Sequence, residues 1–366
     1  MISTTVFPGR YIQGYEAIKR LGSEIARLGN VGYFICSPTV YGKLLPTFRD
    51  DLGKSVKIIA EKFGGECCEE EIDRLQKLAA KTDCDIVIGM GGGKTLDTAK
   101  AIASHLKKPL IIVPTIASTD APCSAIAVIH APSGEMKEPL FLNKNPDVVL
   151  VDSKIIAQAP VRFLVAGMGD ALSKKFEAES CQAKHVPNMT MTDSIGSMTA
   201  YALANLCYQT LLEYGLAAKR ACEAHSVVPA VEYIIEANTL LSGLSFENSG
   251  LAAAHAIETA FSFLKETHSH LHGEIVAFGT QVSLFLTAKG KDIIDEVYSF
   301  SQSVGLPTTL EEIGITRVSD SDLMKVADAV CAQGGLIYNE PIPVSRESVV
   351  AAIKAADCEG KKRKHA

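Results

Sequence analysis

The sequence predicts an α/β domain built on a parallel sheet over residues 1–160, followed by an all-helical domain over residues 161–366. Short β-branched runs alternate with helical segments through the first part of the chain. One of those runs leads through three consecutive glycines into a helix, and beyond about residue 160 strand-like runs nearly vanish. Apolar strands that alternate with helices imply a parallel sheet covered on both faces.

The strand candidates are GYFICS (32–37), VKIIA (56–60), CDIVIGMG (84–91), LIIVPT (110–115) and DVVLVD (147–152). Between them, YEAIKRLGSEIARLG (15–29), EEEIDRLQKLAAKT (69–82) and TLDTAKAIASHL (95–106) carry helical patterning. The boundary falls near Ala159-Pro160, where a proline suits a linker or a helix start. The second part is dominated by long Ala- and Leu-rich stretches such as MTDSIGSMTAYALANLCYQTLLEYG (191–215) and SGLAAAHAIETAFSFL (249–264).

The glycine run needs a reason. CDIVIGMGGGKTLDTAKAIA reads as strand, glycine turn and helix, an order that gathers backbone N–H groups and a helix N-terminus at one point. G-x-G-x-x-G would need glycine where Lys94 stands, and a P-loop would need glycine where Ile88 stands. Gly91, Gly92, Gly93 and Lys94 therefore read either as a tight turn packed for structure or, the favoured reading, as a different pyrophosphate cradle, in which the missing Cβ atoms let the backbone approach a ligand closely. PTIASTDAPCSA (114–125) follows the next strand and offers Thr115, Ser118, Thr119, Asp120 and Ser124 at a strand's C-terminal end, where open α/β sheets bind ligands. ETHSHLHGEIVAFG (266–279) places His268, His270 and His272 within five residues, either as ligands or as a polar loop ahead of a helix.

With 366 residues, 47% apolar and 21% charged, the chain reads as an ordinary globular protein of two domains or one large one. A formal net charge of −6 argues against a general nucleic-acid binder, and the closing KKRKHA reads as a solvated terminus. MISTTVFPGRYIQG has neither the basic nor the apolar region of a signal peptide, and no stretch approaches the roughly 18 apolar residues of a membrane span. The ten cysteines include no C-x-x-C pair, which suggests reduced thiols in a cytoplasm; adjacent Cys67 and Cys68 are not a metal motif.

GMGGGKTLDTAKA, PTIASTDAPCSA, NPDVVLVDSKIIAQAP, AGMGDALSKKFEA, GLAAAHA and HLHGEIVAFGT strongly resemble the glycerol dehydrogenases of the group III, metal-dependent (iron/zinc) alcohol dehydrogenase family. The match runs from PGRYIQG to CAQGGLIYNEP. The resemblance implies a dehydroquinate synthase-like fold, with an N-terminal nucleotide-binding domain, a helical C-terminal domain and a cleft between them. It implies oxidation of glycerol or a related small polyol to the ketone by hydride transfer to NAD. A divalent metal, zinc rather than iron, would polarise the alcohol oxygen. Carried over by motif, the metal ligands are Asp170, His255 and His272, with Asp120 contacting the polyol; of the clustered histidines only His272 is then a ligand. Gly93, Lys94, Thr115, Ser118, Ser124, Ile126 and His130 fall at cofactor-lining positions. The family also implies a homo-oligomer, often an octamer.

Four departures qualify that reading. Ser37 replaces the aspartate that holds the adenosine ribose, so no charge there repels the 2′-phosphate of NADP. His130 replaces a tyrosine. Lys174, four residues after Asp170, is expected to snorkel outward or to weaken the metal. Glu258, Thr259 and Ala260 replace an AHAVHNGLT-like run, and Glu258 is a candidate partner for Lys174. These changes keep open two alternatives: a relative acting on a hydroxy-acid, amino-alcohol or phosphorylated polyol, and a nucleotide-binding protein that has lost turnover. Retention of Asp170, His255 and His272 together speaks against the second.

Overall fold

A computed structural model describes residues 2–132 and 134–364. Six strands form one sheet: β1 (Tyr11–Gly14), β2 (Val31–Cys36), β3 (Lys57–Lys62), β4 (Ile86–Gly91), β5 (Leu110–Pro114) and β8 (Val148–Asp152). Their order is β1-β8-β5-β4-β2-β3, and every pairing is parallel. Between β5 and β8, β6 (Ile126–His130) and β7 (Met136–Phe141) make a separate antiparallel hairpin.

The central strands are buried on both faces, which is why their sequences read as continuous Val/Ile runs. Alternate side chains enter two different cores. Tyr33, Ile35, Val87, Ile112 and Val149 join one with helices Glu69–Ala79 and Gly93–Leu106, and that core continues into helix Val161–Lys184. Phe34, Ile86, Ile88, Ile111 and Leu150 join the other, with Leu21, Ile25, Leu45 and Leu52. All five expected strands are present within two residues of their predicted ends. The sequence reading missed β1, whose YIQG is short and half-buried, and the β6–β7 hairpin, which stands apart from the main sheet.

Beyond Asp152 the regular structure is helical among the described residues. Pro160 occupies the N-cap position of Val161–Lys184, so it starts a helix. The stretch 191–215 becomes helical only at Met198, where the Ser197 hydroxyl caps Ala200 N–H at 3.2 Å. The residues before it form a loop on which the N-terminal strand segment lies, through a Ser3–Ile195 bridge and a Thr5–Ser197 hydrogen bond of 2.7 Å. The stretch 249–264 likewise turns helical only at Ala253, because Gly250 takes φ 105°, outside the helical region. Residues 361–364 of the basic terminus are not a loose tail. They complete helix Arg346–Lys364, with Arg363 paired to Glu359 and Asp295 and Lys364 to Glu312; His365 and Ala366 lie outside the described residues. No helix among the described residues is long and apolar enough to cross a membrane.

One helix crossing fixes the distance between the segments that carry Asp170 and His272. Helix Val161–Lys184 meets helix His272–Leu286 at Gly169 and Gly273. A Cβ on Gly273 would stand 1.9 Å from the Ala166 carbonyl oxygen, and one on Gly169 would stand 2.3 Å from the Gly273 oxygen. The two backbones touch, and only glycine permits it. Gly273→Ala is therefore expected to cost about 3 kcal/mol in urea unfolding. Gly42→Ala, where nothing lies within 4 Å, should stay within about 0.5 kcal/mol. Equal stabilities for the two variants would contradict the close crossing.

Candidate metal and cofactor site

Three parallel strands end side by side, and each delivers one edge of a shallow cradle. Ser37 follows β2, and its N–H bonds to Met90 O at 3.0 Å. Its hydroxyl accepts only a long 3.4 Å bond from Val40 N–H. Gly91 ends β4, and a Cβ there would stand 2.8 Å from Thr95 Oγ1 and 3.0 Å from Ser37 Cβ, so this contact admits no side chain. Gly92 is the N-cap of helix Gly93–Leu106, which opens with free N–H groups over the turn. Thr115 follows β5, its N–H bonded to Gly91 O at 3.0 Å.

Lys94 reaches sideways, where its ammonium pairs with Glu66. The same carboxylate lies 3.4 Å from His130 Nδ1 at the end of β6. Burial, opposed by Glu66, holds His130 below the usual histidine value. Ser124 and the Ile126 carbonyl are engaged by Lys100, a fully buried lysine whose nitrogen also meets Ala121 O and Asp97. Ser118 is buried in the loop after β5, and Asn238 ties that loop to helix Val161–Lys184 by donating to Ala117 O and Leu164 O at 3.0 and 2.9 Å.

Against the buried face of that helix, Asp170, His255 and His272 converge. One ligand atom from each lies within 4.8 Å of the others. Each imidazole is oriented by a carboxylate on its Nδ1: Glu177 at 2.7 Å for His255 and Glu258 at 2.9 Å for His272. The Nε2 atoms then face Asp170 Oδ1 at 3.4 and 4.0 Å. Glu177 also accepts from the backbone N–H groups of Ala252 and His255, so it caps the helix that carries His255. His268 and His270 stay outside, bonded to Ser262 O and to Ser269.

Lys174 occupies the middle of this cluster. Its nitrogen lies 2.7 Å from Asp170 Oδ1, 3.0 Å from Asp120 Oδ2 and 3.2 Å from His255 Nε2. Two expectations are corrected here. Lys174 does not snorkel outward: it is 2% exposed, passes the Phe246 ring at 5.4 Å, and ends among carboxylates that attract it inward. Nor does Glu258 pair with it, because that carboxylate is taken up by His272. Burial alone would favour the neutral amine, but Asp120, Asp170 and Glu177 outweigh it and hold the pKa of Lys174 above the ordinary lysine value. Burial also opposes charge on His255, yet Glu177 prevails and raises its pKa to about 9. Against its own desolvation, Asp170 is held well below the usual carboxylate range by Lys174 and the two histidines. Asp120 accepts a further bond, 2.9 Å, from Ser242.

A family profile described as iron-containing alcohol dehydrogenase matches residues 8–153. The chain is 58% identical to a glycerol dehydrogenase of Thermotoga maritima over 365 residues, covering all of both chains. The chain belongs to the iron-containing alcohol dehydrogenase family. It is also similar to a glycerol dehydrogenase of Citrobacter freundii, 46% identical over 98% of each chain. A solved structure of a probable glycerol dehydrogenase from Sinorhizobium meliloti superposes with TM-score 0.92 at 43% identity, covering 99% of this chain and 100% of that one. As a member of the family, the chain is an alcohol dehydrogenase that works with a nicotinamide cofactor and a metal.

The residues present fit such a metal. Two imidazoles with Nδ1 held by carboxylates would offer Nε2 lone pairs on losing a proton to an incoming cation, and one carboxylate completes a three-ligand set with an open position. Asp170 Oδ2 is buried with no hydrogen-bond partner, an acceptor that a cation would satisfy. Motif reasoning missed Glu177, Glu66, Lys100 and Asn238. Only Glu177 left a readable signal, since it follows Asp170 by seven residues and so shares its helix face with Lys174. Glu177→Ala is expected to cost about 3–5 kcal/mol, because it strands a buried imidazole and two backbone donors. Denaturant unfolding checks this, and a loss under about 1 kcal/mol would contradict the assignment.

Proposed function

We propose that this chain oxidises glycerol or a related small polyol to the ketone with NAD as hydride acceptor, using a zinc ion held by Asp170, His255 and His272. The observation that carries this reading is the convergence of those three donors one lysine away from Asp120, on a loop that begins at the glycine cradle. When bound, the metal supplies a Lewis acid that lowers the pKa of the alcohol. Asp120 accepts a hydrogen bond from a substrate hydroxyl and orients the polyol. Gly91, Gly92, Gly93 and Lys94 receive the cofactor pyrophosphate at a helix N-terminus. Ser37 faces the ribose, and Thr115, Ser118, Ser124, Ile126 and His130 line the rest of the cofactor path. The walls of the cleft hold donor and acceptor carbons in line and exclude water.

Residues 1–160 then form the nucleotide-binding unit and 161–366 the unit that holds metal and substrate. We assign zinc ahead of iron because the resemblance to glycerol dehydrogenases implies it; two imidazoles and a carboxylate accept either. The relatives with that printed name span the chain, so the hydroxy-acid, amino-alcohol and phosphorylated-polyol readings, and loss of turnover, are not favoured. All ten cysteines are free, which suits a reducing cytoplasm. Exposed Ile2, Phe7, Met191 and Met198 on adjoining segments suit a surface between copies in a homo-oligomer of the octameric kind.

Metal content measured together with a panel of cofactors and alcohols tests the whole reading. His272→Ala should lose the metal and more than about a hundredfold of the glycerol activity, whereas His268→Ala and His270→Ala should keep both. Full metal occupancy in His272→Ala would refute the ligand assignment.

The cofactor preference has its own test. Ser37 leaves the ribose site without the charge that repels a 2′-phosphate, so NAD is used but NADP is weakly excluded. Ser37→Asp should tighten NAD and penalise NADP, shifting the preference by about 1–3 kcal/mol. Steady-state kinetics with both cofactors decide it, and an unmoved ratio would mean the ribose is read elsewhere.

A further inference from the structure

We propose that Lys174 is a built-in competitor for the metal seat: its ammonium already occupies the donors that a divalent ion needs, so ion binding requires it to withdraw from Asp170 and His255 onto Asp120. The proposal rests on the ligand reading given above. Asp170 Oδ1 and His255 Nε2 stand 3.4 Å apart, and the Lys174 nitrogen is 2.7 and 3.2 Å from them. An ion in bonding reach of both, at about 2.0–2.2 Å, lies no more than about 4 Å from that nitrogen. Two cations at this separation repel strongly in a buried site. The retreat is already marked out. Asp120 Oδ2, 3.0 Å away, faces Lys174 from the loop after β5 and is itself held by Ser242. Withdrawal onto Asp120 keeps that contact and gives up the other two.

Two consequences follow from the same geometry. Divalent ions bind more weakly here than in the same triad without a lysine, because each binding event must displace a paired ammonium. The metal-free protein is also protected, because Lys174 neutralises Asp170 and Asp120 when no ion is present. A triad of bare carboxylate and imidazoles would instead leave buried charge uncompensated. Lys174 thereby lowers the dependence of the fold on its metal.

The test uses the full-length protein stripped with a chelator, as wild type, K174M, K174T and D170N. Zn2+ affinity is read by competition with a chromogenic chelator, and thermal midpoints are taken with and without Zn2+. Co2+ absorption spectra report whether the ion sits among nitrogen and oxygen donors. K174M should bind Zn2+ at least about a hundredfold more tightly than wild type, with a lower metal-free midpoint and a larger rise on adding Zn2+. K174T removes the same charge with a smaller side chain and should move in the same direction, so it carries the comparison if metal-free K174M does not fold. Affinities of K174M and K174T within about threefold of wild type, or weaker, overturn the proposal provided D170N has lost binding. Unchanged binding in D170N instead overturns the ligand reading, and the competitor role with it.

Discussion

The site is organised by the need to match charge inside a closed helix packing. Helix Val161–Lys184 carries Asp170, Lys174 and Glu177 on one buried face, and none of the three is more than 2% exposed. Removing an ion from water costs several kcal/mol, so each must find a partner within the fold. Lys174 bridges Asp170 to Asp120, Glu177 closes on His255, and Glu258 closes on His272. Among the buried atoms of this network, Asp170 Oδ2 is left without a hydrogen-bond partner. A buried carboxylate oxygen left without a partner beside two imidazoles is an acceptor that a cation would satisfy. That is why the metal reading follows from the charge accounting as well as from the ligand types.

The sheet supplies the other half of the geometry. All six of its strands run parallel, so the loops after β2, β4 and β5 emerge on one side. Ser37, Gly91 and Thr115 arrive there within hydrogen-bond contact of one another's backbones or strands. Two buried polar residues then couple this edge to the helical part. Lys100 anchors the far end of the 114–125 loop to helix Gly93–Leu106, and Asn238 anchors its near end to Leu164 on the helix that carries Asp170. Asp120 lies between these two anchors. Its position relative to Asp170 is therefore set from both sides before any substrate enters, the arrangement expected where reacting groups must be held in register.

Legibility of these features in the sequence followed physical cause. Strands buried on both faces announce themselves as unbroken Val/Ile runs, and five were readable for that reason. β1 is short and half-buried and carries no such run, whereas β6 does carry one, Ile126–Ile129, and was missed although largely buried. The three residues of the cluster were readable only through long motifs, because Asp170, His255 and His272 come from three helices and share no local spacing. The fate of Lys174 was not readable. Snorkelling and burial are both open to a lysine on a helix, and the choice is made by Asp120, fifty-four residues earlier and on a different element. The expected Lys174–Glu258 pair failed for the same reason. Glu258 has a nearer competitor in His272, which reaches it only through the tertiary fold.

The opening of helix His272–Leu286 shows how a side chain of the cluster is placed by its neighbours. Three histidines within five residues are chemically equivalent, yet only one joins the cluster. His272 is the first residue of its helix, and Gly273 behind it must press against the Ala166 carbonyl. One residue further on, Glu274 closes the turn by accepting from Leu271 N–H at 2.8 Å and pairs with Arg162 on the helix that carries Asp170. Helix start, backbone contact and ion pair fix the His272 backbone, and Glu258 on Nδ1 orients its ring. Its side chain stays 38% exposed, while those of Asp170 and His255 are 1% and 9% exposed. The cluster is therefore sealed by helices on the Asp170 and His255 side and open at His272.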